Sequence, residues 1–416
     1  MSQVATVPRN WLFASSSFSR SWSDPRGEGW AVYSPIGQSE YSTKSRNLTP
    51  IKISCDSNSV SFILQKLLIS MDVTAVNDGA PTSGAGIVNT KLGLESLIQS
   101  ITVKAGGEVL TKIDQYPAYL AQTYRNLNKG HKQLLQNMHG YGMTDVFAAS
   151  HTVSVNMHPM LGCFHPTNDQ FFPVWALPNQ ALTIEIVLAD PSNVFTSGNV
   201  NELRVSNIRC LVPYITPPPT IVYNVTRSIA DGKSIFYDYC RSMQTMNSAS
   251  GGSQNVFVLH MSGIRSLIGL ECCFVDDNVL SDHTKDKSET FSSQNLREWR
   301  IQLSPNAVIP SGPQGFTHGP FNKETLLVSH LSSNDFDQMA DMDISFADYD
   351  QKQFSFSYGF QSKDEGSTAA LSFTGTDSIL KIITKHASPP PPQTVRLLTT
   401  YHENVTLSIG GMVTVL

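Results

Sequence analysis

No stretch of this 416-residue sequence stays apolar for the roughly 18 residues a membrane-spanning helix needs, so no transmembrane helix is expected. There is no basic block either. The net charge is −5 at pH 7. Residues 1–50 hold Arg9, Arg20, Arg26, Lys44 and Arg46 against Asp24, Glu28 and Glu40. Broad electrostatic binding of nucleic acid needs clustered cations that displace counterions, so neither that nor direct sequence-specific binding is expected. Charge of either sign is scarce: 15% of residues are Asp, Glu, Lys or Arg, against about 25% in ordinary globular proteins. Ser, Thr, Asn and Gln fill the gap, which suits β-rich surfaces with polar loops.

Cysteine is sparse and carries no motif. Cys55, Cys163, Cys210, Cys240, Cys272 and Cys273 form no C-x-x-C pair. They are expected to be reduced, buried thiols of a protein made inside a cell. The start, MSQVATVPRNWLF, lacks an apolar core of signal-peptide length. The sequons at Asn47, Asn224 and Asn404 therefore read as chance matches. Missing too are G-x-S-x-G, a Walker A loop, G-x-G-x-x-G and H-E-x-x-H. No catalytic residue, cofactor-binding residue or metal ligand is assigned.

What is present is β-pattern. With 23 prolines and 27 glycines, long helices are not expected. SFILQKLLISMDVTAV (61–76) is a long β-prone run. ITVKAGGEVL (101–110) alternates and turns at Gly106-Gly107. A short helix is expected over 116–128, with Pro117 in its first turn and Leu120, Tyr124 and Leu127 on one face. Val153, Val155 and Met157 alternate, as do Leu182, Ile184, Ile186 and Leu188, and LRVSNIRCLVPYI (203–215) closes the block. Pro217-Pro218-Pro219 then interrupt, and residues 217–222 are expected to be a stiff, extended linker.

The same order returns beyond it. NVFVLHMSGIRSLIGLECCFV (255–275) is β-prone and a polar loop follows. IQLSPNAVIP (301–310) copies the pattern of ITVKAGGEVL, with Pro305-Asn306 opposite Gly106-Gly107. A short helix over 322–331, the alternating FSFSYGF (354–360), SILKIITK (378–385) and VRLLTTYHENVTLSI (395–409) complete it. The hairpin is written twice because the domain is written twice. Roughly eight strands in about 180 residues is the count of a jelly roll. The fold expected is all-β: two consecutive eight-stranded jelly rolls, 51–216 and 223–416, with short helices in loops. Residues 1–50 form an extended N-terminal arm. Its aromatics, Trp11, Phe13, Phe18, Trp22 and Trp30 among them, imply that it orders against its own body or a neighbouring subunit, since disordered tails are poor in aromatics.

Candidate chemistry is thin. His151, His158, Cys163 and His165 lie close, but a spacing of seven puts His151 and His158 on opposite faces of a strand. Asp335, Asp337, Asp341, Asp343, Asp348 and Asp350 are dense enough to suggest calcium, without the glycine or final glutamate of an EF-hand loop. A solvated loop is the default for 335–350, with a calcium site between subunits as the other possibility. Asp276-Asp277 offers half of a hydrolase carboxylate pair and no partner.

The end of the chain, YHENVTLSIGGMVTVL, resembles the closing strand of double jelly-roll major capsid proteins of the virophage, polinton-like virus and adintovirus type. Asn404, Val405, Gly411 and Met412 match that pattern, while Thr406-Leu407-Ser408 replaces its centre and Ile409 falls one place late. The segment SLIQSITVKAGGEVLTKIDQYPAYL is similar to an early stretch of the same family, with Ile113 and Asp114 leading into a helix that bears Tyr116 and Tyr119. The resemblance implies a structural virion protein, not an enzyme. Each chain would supply two rolls, three chains a pseudo-hexameric capsomer, and many capsomers an icosahedral shell. It implies assembly inside the host cell and contacts with a vertex (penton) protein and minor capsid proteins. The anchors Trp11, Phe13, Phe18, Trp22 and Trp30 would hold the arm beneath a neighbouring capsomer. The loops 77–88, 247–254 and 276–296 are expected to crown it. The alternatives are a secreted-type two-domain β-sandwich hydrolase and a glycan-binding protein. A vertex protein or an RNA-virus coat fits less well, since the first is generally a single roll and the second usually brings a basic arm.

Overall fold

The computed structural model describes residues 28–415, apart from 45–48, 84–85, 90–91, 126, 128, 160, 165–170, 180, 198–199, 262–263, 265, 278–290, 305–306, 310–315, 318–348, 350–353, 361–378, 393 and 411. The alternating stretches form strands with one face inward, as period-two patterning requires. In chain order the first eight main strands are β1 (Glu28–Tyr33), β2 (Ile51–Asp56), β3 (Leu68–Asn77), β4 (Ile98–Ala105), β5 (Glu108–Ile113), β6 (Thr152–Met157), β7 (Ala181–Leu188) and β8 (Glu202–Ile215). The next eight are β9 (Ile235–Ser248), β10 (Gln254–His260), β11 (Leu267–Asp276), β12 (Leu296–Ser304), β13 (Ala307–Ile309), β14 (Phe356–Gly359), β15 (Ile379–His386) and β16 (Val395–Ile409).

One sheet runs β1-β8-β3-β6, and another runs β10-β15-β12-β13. Between them a continuous sheet runs β14-β11-β16-β9-β5-β4-β7-β2. Adding eight to each label turns β1-β8-β3-β6 into β9-β16-β11-β14, and β2-β7-β4-β5 into β10-β15-β12-β13. The two halves therefore share one eight-stranded jelly-roll order. The twin hairpins are the fourth and fifth strands of each roll: Ala105 pairs with Glu108 at one turn and Ser304 with Ala307 at the other.

The rolls join where β9 meets β5, at Met243 opposite Lys112, and there the strands run parallel. Every other strand pair described is antiparallel. With antiparallel neighbours and aligned sheet packing, the odd-numbered strands of a roll point one way. Since β5 and β9 are both odd, the two rolls stand side by side in the same sense. Connections leaving odd strands gather at one end, called here the crown, and those leaving even strands at the base. The Gly106 turn, which follows β4, and Val413, which follows β16, meet at the base accordingly. A Cβ on Gly106 (φ +58°) would lie 2.5 Å from the Val413 Cγ2 atom.

Each roll has a core, but the division is not clean. The first includes Ile53, Val73, Ile101, Ile184 and Val205, and also takes in Tyr237, Tyr239, Val405 and Leu407 from β9 and β16. The second centres on Phe257, Phe274, Trp299, Phe356 and Ile382.

Three expectations need correction. Residues 28–33, expected in the arm, are the first strand of roll one. They pair along β8 from Glu28 opposite Ile215 to Tyr33 opposite Cys210. The proline stretch is not an extended linker throughout. Pro218 is extended, but Pro219 opens a helix over Pro219–Ala230. Proline fits a first helical turn because its fixed φ suits it and its absent N–H has no helical partner there. The helix expected over 116–128 ends at Arg125, and a second, unforeseen one follows; they are α1 (Tyr116–Arg125) and α2 (Lys129–His139), with α3 the helix at 219–230. The helix expected over 322–331 lies outside the described residues.

Candidate functional site

Three surfaces stand out among the described residues. The first is the N-terminal seam of roll one. Strand β1 forms an edge of its sheet, and alternation puts Trp30 and Val32 outward, Trp30 being 54% exposed. Gly29 lies where a Cβ would fall 2.6 Å from the Tyr214 hydroxyl, so the strand sits tightly on β8. Beyond it Pro35 bridges to Ile53 of β2, and the Ile36 amide donates to the Lys52 carbonyl. Residues 28–36 thus close one side of the roll, running from one sheet edge to the other. Of the expected anchors, Trp30 sits on this outward face, while Trp11, Phe13, Phe18 and Trp22 lie outside the described residues.

The base is the second surface. Glu28 opposite Ile215 lies there, as do α3 and the hairpin after β16. Tyr223 on α3 is 64% exposed and Met412 in the hairpin 78%. Three large side chains, Trp30 among them, are thus left to water at or near one end of the molecule, which singly would need no comment. The third surface is the open edge strand β10. Its inward residues Phe257 and Leu259 are buried, while outward Val256 and Val258 are exposed beside Ile379 of β15. An edge strand with an apolar outer face is a template for contact. The sequence pattern marks the strand, but not that among the described residues its one strand neighbour is β15.

The seam between the rolls combines hydrogen bonds with apolar contacts. Gln122 of α1 donates from Nε2 to the Cys273 Sγ at 3.2 Å, and its Oε1 accepts from the Thr400 hydroxyl at 3.0 Å. The Tyr239 hydroxyl donates to the Leu110 carbonyl at 3.0 Å, and the Gln115 amide to the Gln244 Oε1 at 3.1 Å. Helix α1 also sets Ala118 and Ala121 against Cys273, Val275 and Leu398. These contacts hold the rolls in one relative position.

His158 Nδ1 is 2.7 Å from the Leu67 carbonyl, His151 is exposed, and His165 is outside the described residues. Asp277 is ion-paired with Arg396 at 2.5 Å. The acidic stretch 335–350 lies outside the described residues except for Tyr349. Among the described residues no three His, Cys, Asp or Glu side chains group as metal ligands, and no helix is long and apolar enough to cross a membrane.

Repeated strand order and upright stacking define a double jelly roll. Comparison with solved structures agrees. The chain is similar to VP54 of PBCV-1, as fitted into a cryo-EM reconstruction of the virophage Sputnik. The TM-score is 0.60 at 11% identity, over 93% of this chain and 96% of that one. It is similar to the major capsid protein of Faustovirus, with a TM-score of 0.58 at 8% identity over 92% and 90%. A chain of the Sputnik virophage itself matches with a TM-score of 0.54 at 11% identity over 94% and 88%. At such identities the likeness is one of fold. No known sequence family matches the chain. No curated protein sequence matches it either.

Proposed function

We propose that this chain is a major capsid protein, three copies of which close into a pseudo-hexameric capsomer that tiles an icosahedral shell. The observation that carries the reading is the duplication: two rolls of one strand order, side by side and in the same sense. Three such chains present six similar wedges around one axis, and a head-to-tail contact closes when the rotation allows it. The solved chains sharing this fold come from virus capsids, which favours a structural role over an enzymatic one. The rolls are divided near residues 217–222. The virion is the place where the protein functions, and the chain assembles in the host cell. A vertex protein and minor capsid proteins are its further partners, and the arm anchors Trp11, Phe13, Phe18, Trp22 and Trp30 bind a neighbour.

The strand directions support the same picture. The loops 77–88, 247–254 and 276–296 follow β3, β9 and β11, all odd, which supports grouping them at the crown end, and we take that end to be the outward one in the shell. The chain enters β1 from the base, where an arm reaches neighbouring capsomers. The test is native mass by light scattering behind a sizing column. A trimer reads about 137 kDa, three times the 45.7 kDa chain. A monomer at every concentration refutes the proposal.

A further inference from the structure

Two of the six thiols face each other across the inside of roll one. Cys55 lies on β2 and Cys210 on β8, so they belong to opposite sheets. Both are fully buried, and the Cys55 thiol donates to the Cys210 sulfur across 3.8 Å. No disulfide joins them. A disulfide needs a sulfur separation of about 2.05 Å, so the pair is short of a bond by less than the width of one atom.

The covering of this pair is specific. Tyr33, the last residue of β1, pairs in register with Cys210 itself. Its hydroxyl donates to the Asp56 carbonyl, next to Cys55, at 2.8 Å, and its ring packs edge-on against Phe62 at 6.0 Å. Strand β1 therefore closes over the two sulfurs from the roll's open side. It is six residues long, and among the described residues its strand partner is β8 alone. A short edge strand is among the first parts of a sandwich to open locally.

We propose that Cys55 and Cys210 form an inter-sheet disulfide site, reached by lifting β1, that locks roll one when the protein meets a small-molecule disulfide oxidant. One thiolate attacks the oxidant's S–S bond, giving a mixed disulfide and releasing one small thiol. The second thiolate attacks the protein sulfur of that mixed disulfide and releases the other small thiol. Two S–H bonds are lost, one protein S–S bond forms, and the oxidant takes up the two electrons and two protons. While β1 is down, the hydrogen bond to Cys210, and then burial, push the Cys55 thiol well above its ordinary value, which keeps it unreactive. Reduced protein made in a cell would thus stay reduced until it meets an oxidising medium. The crosslink joins residues 155 apart in sequence and both sheets of one sandwich, so it restricts the unfolded chain strongly. The site is independent of whether the chain builds shells.

The experiment uses the full chain, folded, incubated with glutathione disulfide at neutral pH. Free thiols are trapped with an alkylating agent, and the digest is mapped without reduction. The expected result is one crosslinked peptide pair, containing Cys55 and Cys210, with Cys163, Cys240, Cys272 and Cys273 still alkylated after unfolding. Tyr33→Ala should speed its formation at least severalfold, because it removes the cover and leaves both thiols. Cys210→Ser should abolish it, leaving at most glutathione on Cys55. The crosslinked protein should melt several degrees higher than the reduced one. Absence of the crosslink in both wild type and Tyr33→Ala overturns the proposal. So does a crosslink scrambled among the other cysteines, or one that lowers the melting temperature.

Discussion

Glu95 is fully buried in the turn that precedes β4, with its carboxylate shared among three rings. Tyr116 donates to one oxygen at 2.7 Å, Tyr124 donates to the other, and His139 Nε2 lies 3.3 Å from that second oxygen. Both tyrosines come from α1 and the imidazole ends α2, so this cluster pins the two helices to the roll. Burial pushes the Glu95 carboxyl from 4.5 up to about 7, against the opposing pull of its tyrosine hydrogen bonds. It pushes the His139 imidazole from 6.5 down to about 4. Between pH 4.5 and 6.5 the unfolded pair carries its one proton on His139 and the folded pair carries one on Glu95. The counts match, so the pair leaves wild-type stability flat with pH in that window. Each single variant should unmask one half. In Glu95→Gln, stability should fall as pH drops from 6.5 toward 4, because only the unfolded imidazole takes up a proton. In His139→Gln, stability should fall as pH rises from 4.5 toward 7, because the folded carboxyl keeps a proton that the unfolded one releases. Each slope approaches about 1.4 kcal/mol per pH unit. Denaturant midpoints measured across pH 4–8 check this, and slopes of the same sign in both variants would contradict it. Glu95 had no signal in the sequence, since nothing local separates a buried glutamate from an exposed one.

At the scale of elements, α1 does two jobs. One face meets Glu95, and the other crosses to roll two through Gln122. Gln122→Ala would leave the Thr400 hydroxyl buried without its acceptor and should cost about 1–3 kcal/mol. The loss should appear as earlier separation of the two rolls, read by hydrogen exchange at β9 and β16. Uniform loss of protection over both rolls would mean that the seam is not a separate unit. Helix α1 was legible because Leu120 and Tyr124 recur at helical spacing. Helix α2 was not, because of its eleven residues only Leu135 and His139 are buried. Proline was misread between the rolls for a related reason: its effect depends on where in a helix it falls, which the run of letters does not state.

For the whole molecule the decisive feature is that the rolls share one sense, with Trp30 outward on β1 toward the base. Trp30→Ser should leave the monomer folded, since the indole is mostly exposed, yet weaken subunit association about tenfold or more, as loss of an aromatic anchor does. Sedimentation of the variant over a concentration series reads the shift. Unchanged association would remove Trp30 from the interface. Limited proteolysis of assembled particles should cut within 77–88, 247–254 or 276–296. Cuts outside all three would contradict their outward placement.

The sequence by itself determined most of the strands, their alternation, the twin hairpins and the doubling, because period-two burial and turn chemistry are local properties of the chain. It also ruled out clustered cations for nucleic acid and any recognised catalytic motif. Only the tertiary structure decided which strand neighbours which, that β1 belongs to roll one, and that β5 runs beside β9 in parallel. It alone placed Cys55 against Cys210 and Glu95 against His139. Those contacts join residues up to 155 positions apart, and their energies come from burial and pairing that exist only once the sheets have closed.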